Sequence, residues 1–207
     1  MADDQKDLRI LKNRLEALVD GIFAFAMTLL VTGLVIPHLS KTEAKVKLAP
    51  ILAGMQSEFI SFIVAFFVLA SFWRIHNRQY HYIRIIDSVV MRITLFTLIF
   101  VVLMPFTTNL SGDYSDVQLA VCLFHGNMFS LGFFLLIHWW YLAKTPEITS
   151  SPISRSTAFK GICRSMITPV ISALAFIVSF ISPSWSMAVY FLIIPFVVVV
   201  EKHSRPS

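Results

Sequence analysis

One aspartate, Asp20, stands at the head of a long apolar run, Arg14-Leu-Glu-Ala-Leu-Val-Asp20-Gly21-Ile-Phe-Ala-Phe25-Ala-Met-Thr28-Leu29-Leu-Val-Thr32. Ionisable groups at membrane depth are costly, and where they persist they mark ion pathways or paired structural sites. Arg14 and Asp20 are six residues apart, whereas neighbours on a helix are three or four apart. Each therefore needs a partner on another helix, or snorkels to the interface. A second group is Trp73-Arg-Ile-His76-Asn77. Trp73 and His76 share a helix face and read as an interfacial aromatic beside a solvated histidine, or else His76 and Asn77 are partners for the Arg14/Asp20 end. A third is Leu103-Met-Pro105-Phe106-Thr107-Thr108-Asn109-Leu110, followed by Tyr114. Pro105 is expected to kink its helix, with Thr107 and Thr108 bonding the freed carbonyls. Phe25, Leu29 and Thr32 recur at i, i+4 and i+7, with Thr28 at the edge of that stripe. Two apolar rings with hydroxyls suit a constriction that gates by dewetting. They equally suit ordinary packing, with each threonine bonded to its own backbone.

Other chemistries find little support. The sequence has no HExxH, GxSxG or GxxxxGK[ST], so no enzyme is expected. Cys122 and Cys163 form no CxxC pair and read as small apolar fillers. His125 and His138 share one apolar block, about 20 Å apart along a helix, a separation that would suit two stacked haems. Each haem would need a second ligand, and His76 and His81 fall in or near a loop. No cofactor and no structural metal site are expected.

The elements that must position these residues are membrane helices. Of 207 residues, 57% are hydrophobic and only 14% charged, far from the quarter charged of a soluble domain. Apolar blocks of roughly 20 residues span the hydrocarbon as helices, and no strand-like alternation is present. Six spans are expected, at about Leu15–Pro37, Ile51–Ile75, Ser88–Leu110, Val117–Leu142, Phe159–Ile181 and Ser186–Val200. The class is an all-α polytopic membrane protein, with residues 1–207 forming a single transmembrane domain without internal repeat. The first block is too long, and Asp3, Asp4 and Asp7 too acidic a prelude, for a cleavable signal.

The net charge of +5 does not imply nucleic acid, because the basic residues sit at block edges. Lys6, Arg9, Lys12, Arg14, Arg74, Arg78, Arg84, Lys144, Arg155, Lys160, Arg164, Lys202 and Arg205 fall on one side, and only Lys41, Lys45 and Lys47 on the other. The positive-inside rule then puts both termini in the cytoplasm.

Together these segments resemble the endosomal and lysosomal potassium channel family, transmembrane protein 175, and especially its single-repeat bacterial members. That family's first helix carries an Arg, three residues and Phe-Ser-Asp, then a Gly/Ala-rich stretch with a Thr and paired Leu. Arg14, Asp20, Gly21, Phe23, Ala24, Ala26, Thr28, Leu29 and Leu30 fit, as do Trp73-x-x-His76-Asn77 and Pro105-Phe106. Leu18-Val19 replaces Phe-Ser, Phe25 replaces a branched aliphatic residue, and Thr32 replaces an apolar one.

The resemblance implies a homotetramer in the bacterial inner membrane, with first helices around a central pore permeable to monovalent cations. It implies weak to moderate potassium selectivity without a TVGYG filter, which the sequence indeed lacks. It makes Phe25, Leu29 and Thr32 the constriction, Thr28 the selectivity candidate, and Arg14, Asp20, Trp73, His76 and Asn77 a structural network. Lipid is the other expected partner, and potassium enters only as permeant ion. A small ion- or proton-coupled secondary transporter is the alternative, with Asp20 as the ion site and Pro105 marking a broken helix.

Overall fold

The computed structural model describes residues 2–193, with side chains over 10–193. The long apolar runs form α1 (Ala2–Leu29), α3 (Gln56–Tyr82), α4 (Ser88–Asp113), α5 (Gln118–Lys144) and α6 (Arg155–Ser179). A 3-10 turn, Leu30–Gly33, extends α1, and α2 (Lys41–Gly54) lies between α1 and α3. After α6 the chain forms the short α7 (Pro183–Ser186) and a 3-10 turn, Met187–Leu192. Ser186, Met187 and Tyr190 are buried. Among the described residues, five helical segments are long and apolar enough to cross a membrane, the first being Ile10–Gly33. The expected sixth span, Ser186–Val200, lies outside the described residues from position 194, as do Lys202 and Arg205.

The second span starts later than the apolar run suggests. The expected loop His38–Pro50 is largely α2, begun by a capping box in which Ser40 and Glu43 bond reciprocally and which satisfies two otherwise orphaned amides. Lys47 reaches Glu43 at 2.9 Å. It and Ser40 hold the Glu43 carboxyl below its ordinary value. Because the folded value is depressed, this cap is intact at neutral pH and is lost as pH falls through that lowered value. The chain breaks at Met55, and the spanning helix begins at Gln56. α2 buries none of its residues.

The main core is a seam through α1, α3, α4, α5 and α6 that includes Val19, Phe23, Ala26, Leu30, Leu69, Phe72, Met104, Phe124 and Leu131. A smaller cluster of Leu15, Tyr80, Ile83, Val90, Trp139 and Ile148 closes the end nearest the N-terminus. There the α3–α4 and α5–α6 connections are stitched together. Arg84 N and Ile85 N donate to Ile148 O at 2.8 and 3.2 Å, and Ser150 N donates to Tyr82 O at 2.9 Å. Asp87 caps α4 by accepting from Val89 N and Val90 N, and its other oxygen accepts from Tyr141 Oη at 2.5 Å.

Close helix approach in membranes needs small residues. The sequence offers Gly126 and Ser130 at small-xxx-small spacing, but a Cβ on Gly126 would meet nothing within 4 Å. The intimate contacts lie at Gly132, where a Cβ would sit 2.7 Å from Pro169 Cδ, and at Gly161, where it would overlap the Trp139 indole. Both join α5 to α6.

Pro105 lies within an unbroken α4. The carbonyl that loses its amide partner is the one four residues back, that of Val101. The threonines do not serve it. Thr107 Oγ1 donates to Leu103 O and Met104 O at 3.1 and 3.2 Å, and the buried Thr108 hydroxyl has no partner. α5 bonds the adjacent carbonyl, where Asn127 Nδ2 donates to Phe100 O at 3.1 Å.

Candidate functional site

α1 divides into two faces. Leu15, Val19, Phe23, Ala26 and Leu30 are buried in the core, at the three- and four-residue spacing of one helix stripe. On the opposite side Leu18, Gly21, Phe25, Thr28 and Thr32 are exposed, Phe25 by 65%. At 100° per residue these five lie within an arc of about 80°. Leu29 sits at the half-buried margin, so Thr28 and Leu29 exchange the places expected from spacing.

The exposed mid-span face of α4 carries only apolar side chains, Leu95, Phe96, Ile99, Val102 and Phe106, as a lipid-facing surface requires. The exposed face of α1 carries two hydroxyls within its span, Thr28 and, one residue from the span's end, Thr32. Both hydroxyl protons are committed to backbone, Thr28 Oγ1 to Phe25 O at 2.8 Å and Thr32 Oγ1 to Leu29 O at 2.7 Å. What each threonine then offers outward is an oxygen lone pair, which attracts cations and not anions.

The expected network is brought together only in part. Trp73 Nε1 donates to Asp20 Oδ1 at 2.8 Å, tying α1 to α3. His76 is buried and packs its ring 6.1 Å from that of Phe23 and 4.3 Å from that of Tyr80. Arg14 and Asn77 are exposed, and Arg14 forms no ion pair with Asp20 among the described residues. Eleven residues separate Arg14 from Phe25, which puts both within about 20° of one azimuth, whereas Asp20 is about 140° from Phe25. Arg14 therefore belongs to the exposed face and Asp20 to the flank that meets α3.

Converting Asp20 to Asn or Trp73 to Phe weakens a charge-assisted bond that is open to solvent in the single chain. The expected loss is about 1–2 kcal/mol of stability after allowance for screening, with ion preference unchanged. Melting of the solubilised protein and reversal potentials read the two quantities separately. A shift in preference without loss of stability would place Asp20 in the ion path.

Sequence reasoning missed a polar cluster beside His76. His138 Nδ1 bonds Gln79 Oε1 at 2.7 Å, and Gln79 Nε2 donates to Leu135 O at 2.9 Å. The His138 ring lies 5.8 Å from that of His76. Gln79 stands three residues beyond His76, the spacing that could have flagged it. His125 is fully engaged elsewhere: Ser186 Oγ donates to Pro183 O, so it accepts from His125 Nε2 at 2.8 Å, and His125 Nδ1 accepts from Tyr190 Oη at 3.0 Å. Neither ring nitrogen has a lone pair left for iron, which removes the paired-haem geometry.

Residues 14–105 match the family described as Endosomal/lysosomal potassium channel TMEM175. A potassium channel of Streptomyces collinus is 28% identical over 79% of this chain and 82% of its own. One of Chamaesiphon minutus is 25% identical over 87% and 90%. A crystal structure of a lysosomal potassium-selective channel TMEM175 homolog from Chamaesiphon minutus superposes with a TM-score of 0.78 at 25% identity, covering 91% of this chain and 97% of that one. A variant of the potassium channel MtTMEM175, crystallised with a nanobody fusion, shares the fold at a TM-score of 0.59 and 16% identity, over 92% of each chain. The spans, the buried seam and these likenesses define an α-helical integral membrane protein of channel-like architecture. Within that class, the chain is similar to the endosomal/lysosomal potassium channel TMEM175 family, whose model it matches over residues 14–105.

Proposed function

We propose that the chain forms a potassium-permeable channel: a homotetramer whose α1 helices surround the pore, weakly to moderately selective for potassium over sodium. The observation that carries this reading is the exposed hydroxyl-bearing face of α1, which lipid would not select and a water-filled axis would. A pore lined by one stripe per chain needs several chains, and the relatives named above are potassium channels. Phe25 forms the constriction with Leu29 at its margin and Thr32 above, while Thr28 presents its oxygen to the dehydrating ion. Potassium holds its water less tightly than sodium, so a partly dehydrating ring favours it, by less than a carbonyl cage would. Arg14 rings the cytoplasmic approach, and Asp20, Trp73 and His76 hold α1 against α3. Both termini face the cytoplasm of a bacterial cell, lipid surrounds the tetramer, and no cofactor takes part.

The test is flux in liposomes under opposed potassium and sodium gradients, alongside the particle's mass in mild detergent. Faster passive potassium flux from a particle about four times the 23.5 kDa chain is expected. A monomeric particle, or flux that runs only with stoichiometric counter-movement of protons, would overturn the channel in favour of nothing or of a transporter respectively.

A further inference from the structure

At the membrane face remote from the N-terminus, three helix ends meet around a small cavity. α1 arrives through its 3-10 turn at Gly33, α3 starts with Glu58 in its first turn, and α4 finishes with Asn109 and Asp113. Residues from all three line the cavity, whose volume of about 10 Å³ has room for one water-sized particle. The close fit is built in. A Cβ on Gly33 would overlap the Asn109 carboxamide, and one on Gly112 would come to 3.2 Å from Glu58 Cα.

The lining is rich in oxygen and has no Lys or Arg. Glu58 and Asp113 bring carboxylates, Asn109 a carboxamide and Thr108 a hydroxyl. Two of these donors are stranded. Thr108 is 2% exposed, and its Oγ1 and the buried Glu58 Oε2 have no hydrogen-bond partner. A helical threonine ordinarily bonds a carbonyl of its own preceding turn, as Thr28, Thr32, Thr97 and Thr107 do here. Thr108 departs from them only where it borders this cavity.

The ends of α1 and α4 turn the negative ends of their dipoles to the cavity, while the N-terminus of α3 turns its positive end to the Glu58 carboxylate in its first turn. Neither C-terminal end carries a basic residue in its last turn, and an acidic Asp113 at a helix C-terminus is unfavourable unless a cation answers it. We propose that this convergence of Glu58, Thr108, Asn109 and Asp113 binds one divalent cation, calcium in preference to magnesium. Calcium accepts irregular sets of carboxylate, amide and carbonyl oxygens, whereas magnesium keeps several waters, for which a space of one-water size has no room. Two carboxylates are few, so affinity falls in the range of about 10⁻⁴–10⁻³ M. Bound there, the ion pins the end of α1 to α3 and α4.

The test uses the full-length protein in detergent, in potassium buffer of fixed ionic strength, titrated with calcium or magnesium chloride. Thermal stability and calorimetric heat are followed together. Saturable binding of one calcium per chain with a raised melting temperature is expected, with magnesium at least about tenfold weaker. Glu58→Gln and Asp113→Asn each weaken calcium binding more than about tenfold. Asp113 is exposed, so its variant keeps the fold even if Glu58→Gln does not. Gln118→Ala, at the same membrane face but outside the cavity, leaves calcium binding unchanged. Absence of saturable calcium binding means that the cavity holds water and overturns the assignment. So does equal binding of both divalent ions, or calcium binding that survives Asp113→Asn.

Discussion

Replacing Phe25 with alanine raises cation flux on the order of tenfold and lowers discrimination between potassium and sodium. A ring of phenyl groups offers a passing ion nothing in exchange for its water, so the barrier is one of dehydration. Each 1.4 kcal/mol removed from it is about a factor of ten in rate. Truncation to a methyl widens the ring enough for water to accompany the ion. Leu29→Ala acts in the same direction but less, because Leu29 is at the half-buried margin of the exposed arc. Phe67→Ala is the matched control. Phe67 is 64% exposed against 65% for Phe25, but it sits on α3 and not on the proposed pore helix. Unchanged flux in Phe25→Ala, with assembly intact, places the ion path along another face.

Gly161→Ala destabilises the protein by about 3 kcal/mol. The new methyl would occupy the space of the Trp139 indole. To clear it, Trp139 must give up its 2.9 Å bond from Nε1 to Ala158 O and its edge-on contact with Tyr82 at 5.3 Å. Overpacking costs about 1–3 kcal/mol, and an indole N–H left buried without an acceptor costs a similar amount. The better helix propensity of alanine returns less than about 1 kcal/mol. Gly126→Ala, which meets nothing within 4 Å in the chain, is neutral or slightly stabilising in the isolated subunit. Denaturation in detergent of both variants decides the matter, and equal melting temperatures would show that the α5–α6 contact is slack.

Legibility tracked the kind of signal. Long apolar blocks announced α1, α3, α4, α5 and α6 because lipid tolerates few alternatives. The break at Met55 was hidden, since Ile51–Ala53 continue the apolar run while Ser40 and Glu43 begin a separate helix. Asp20 was legible as a residue in need of a partner on another helix, whereas Trp73 read as an interfacial aromatic, because their pairing is a distance in space, not in sequence. Arg14 entered the same group through the family resemblance, while its azimuth lies on the exposed face of α1. The exposures of Thr28 and Leu29 differ from those the spacing suggests because the exposed arc is centred between Phe25 and Thr28, an offset set by how α3 and α4 grip the other side. Gly132 and Gly161 carried no spacing motif, since each meets a bulky residue, Pro169 or Trp139, and not another glycine.

The stitched connections near the N-terminus have a mechanical consequence for α1. Lys12 Nζ donates to Ile83 O at 2.7 Å, in the α3–α4 connection, which Ile148 and Ser150 hold to the α5–α6 connection. α1 is thus pegged near its foot to a plate made of two loops, while its far half carries Phe25, Thr28 and Thr32. A swivel that carries Phe25 off the axis swings about Lys12 as a fulcrum, and the displacement grows with height above the peg. In the proposed channel, widening is then greatest at the far rim and least at the foot, so an aperture lined by α1 opens as a cone whose apex is the Lys12 peg.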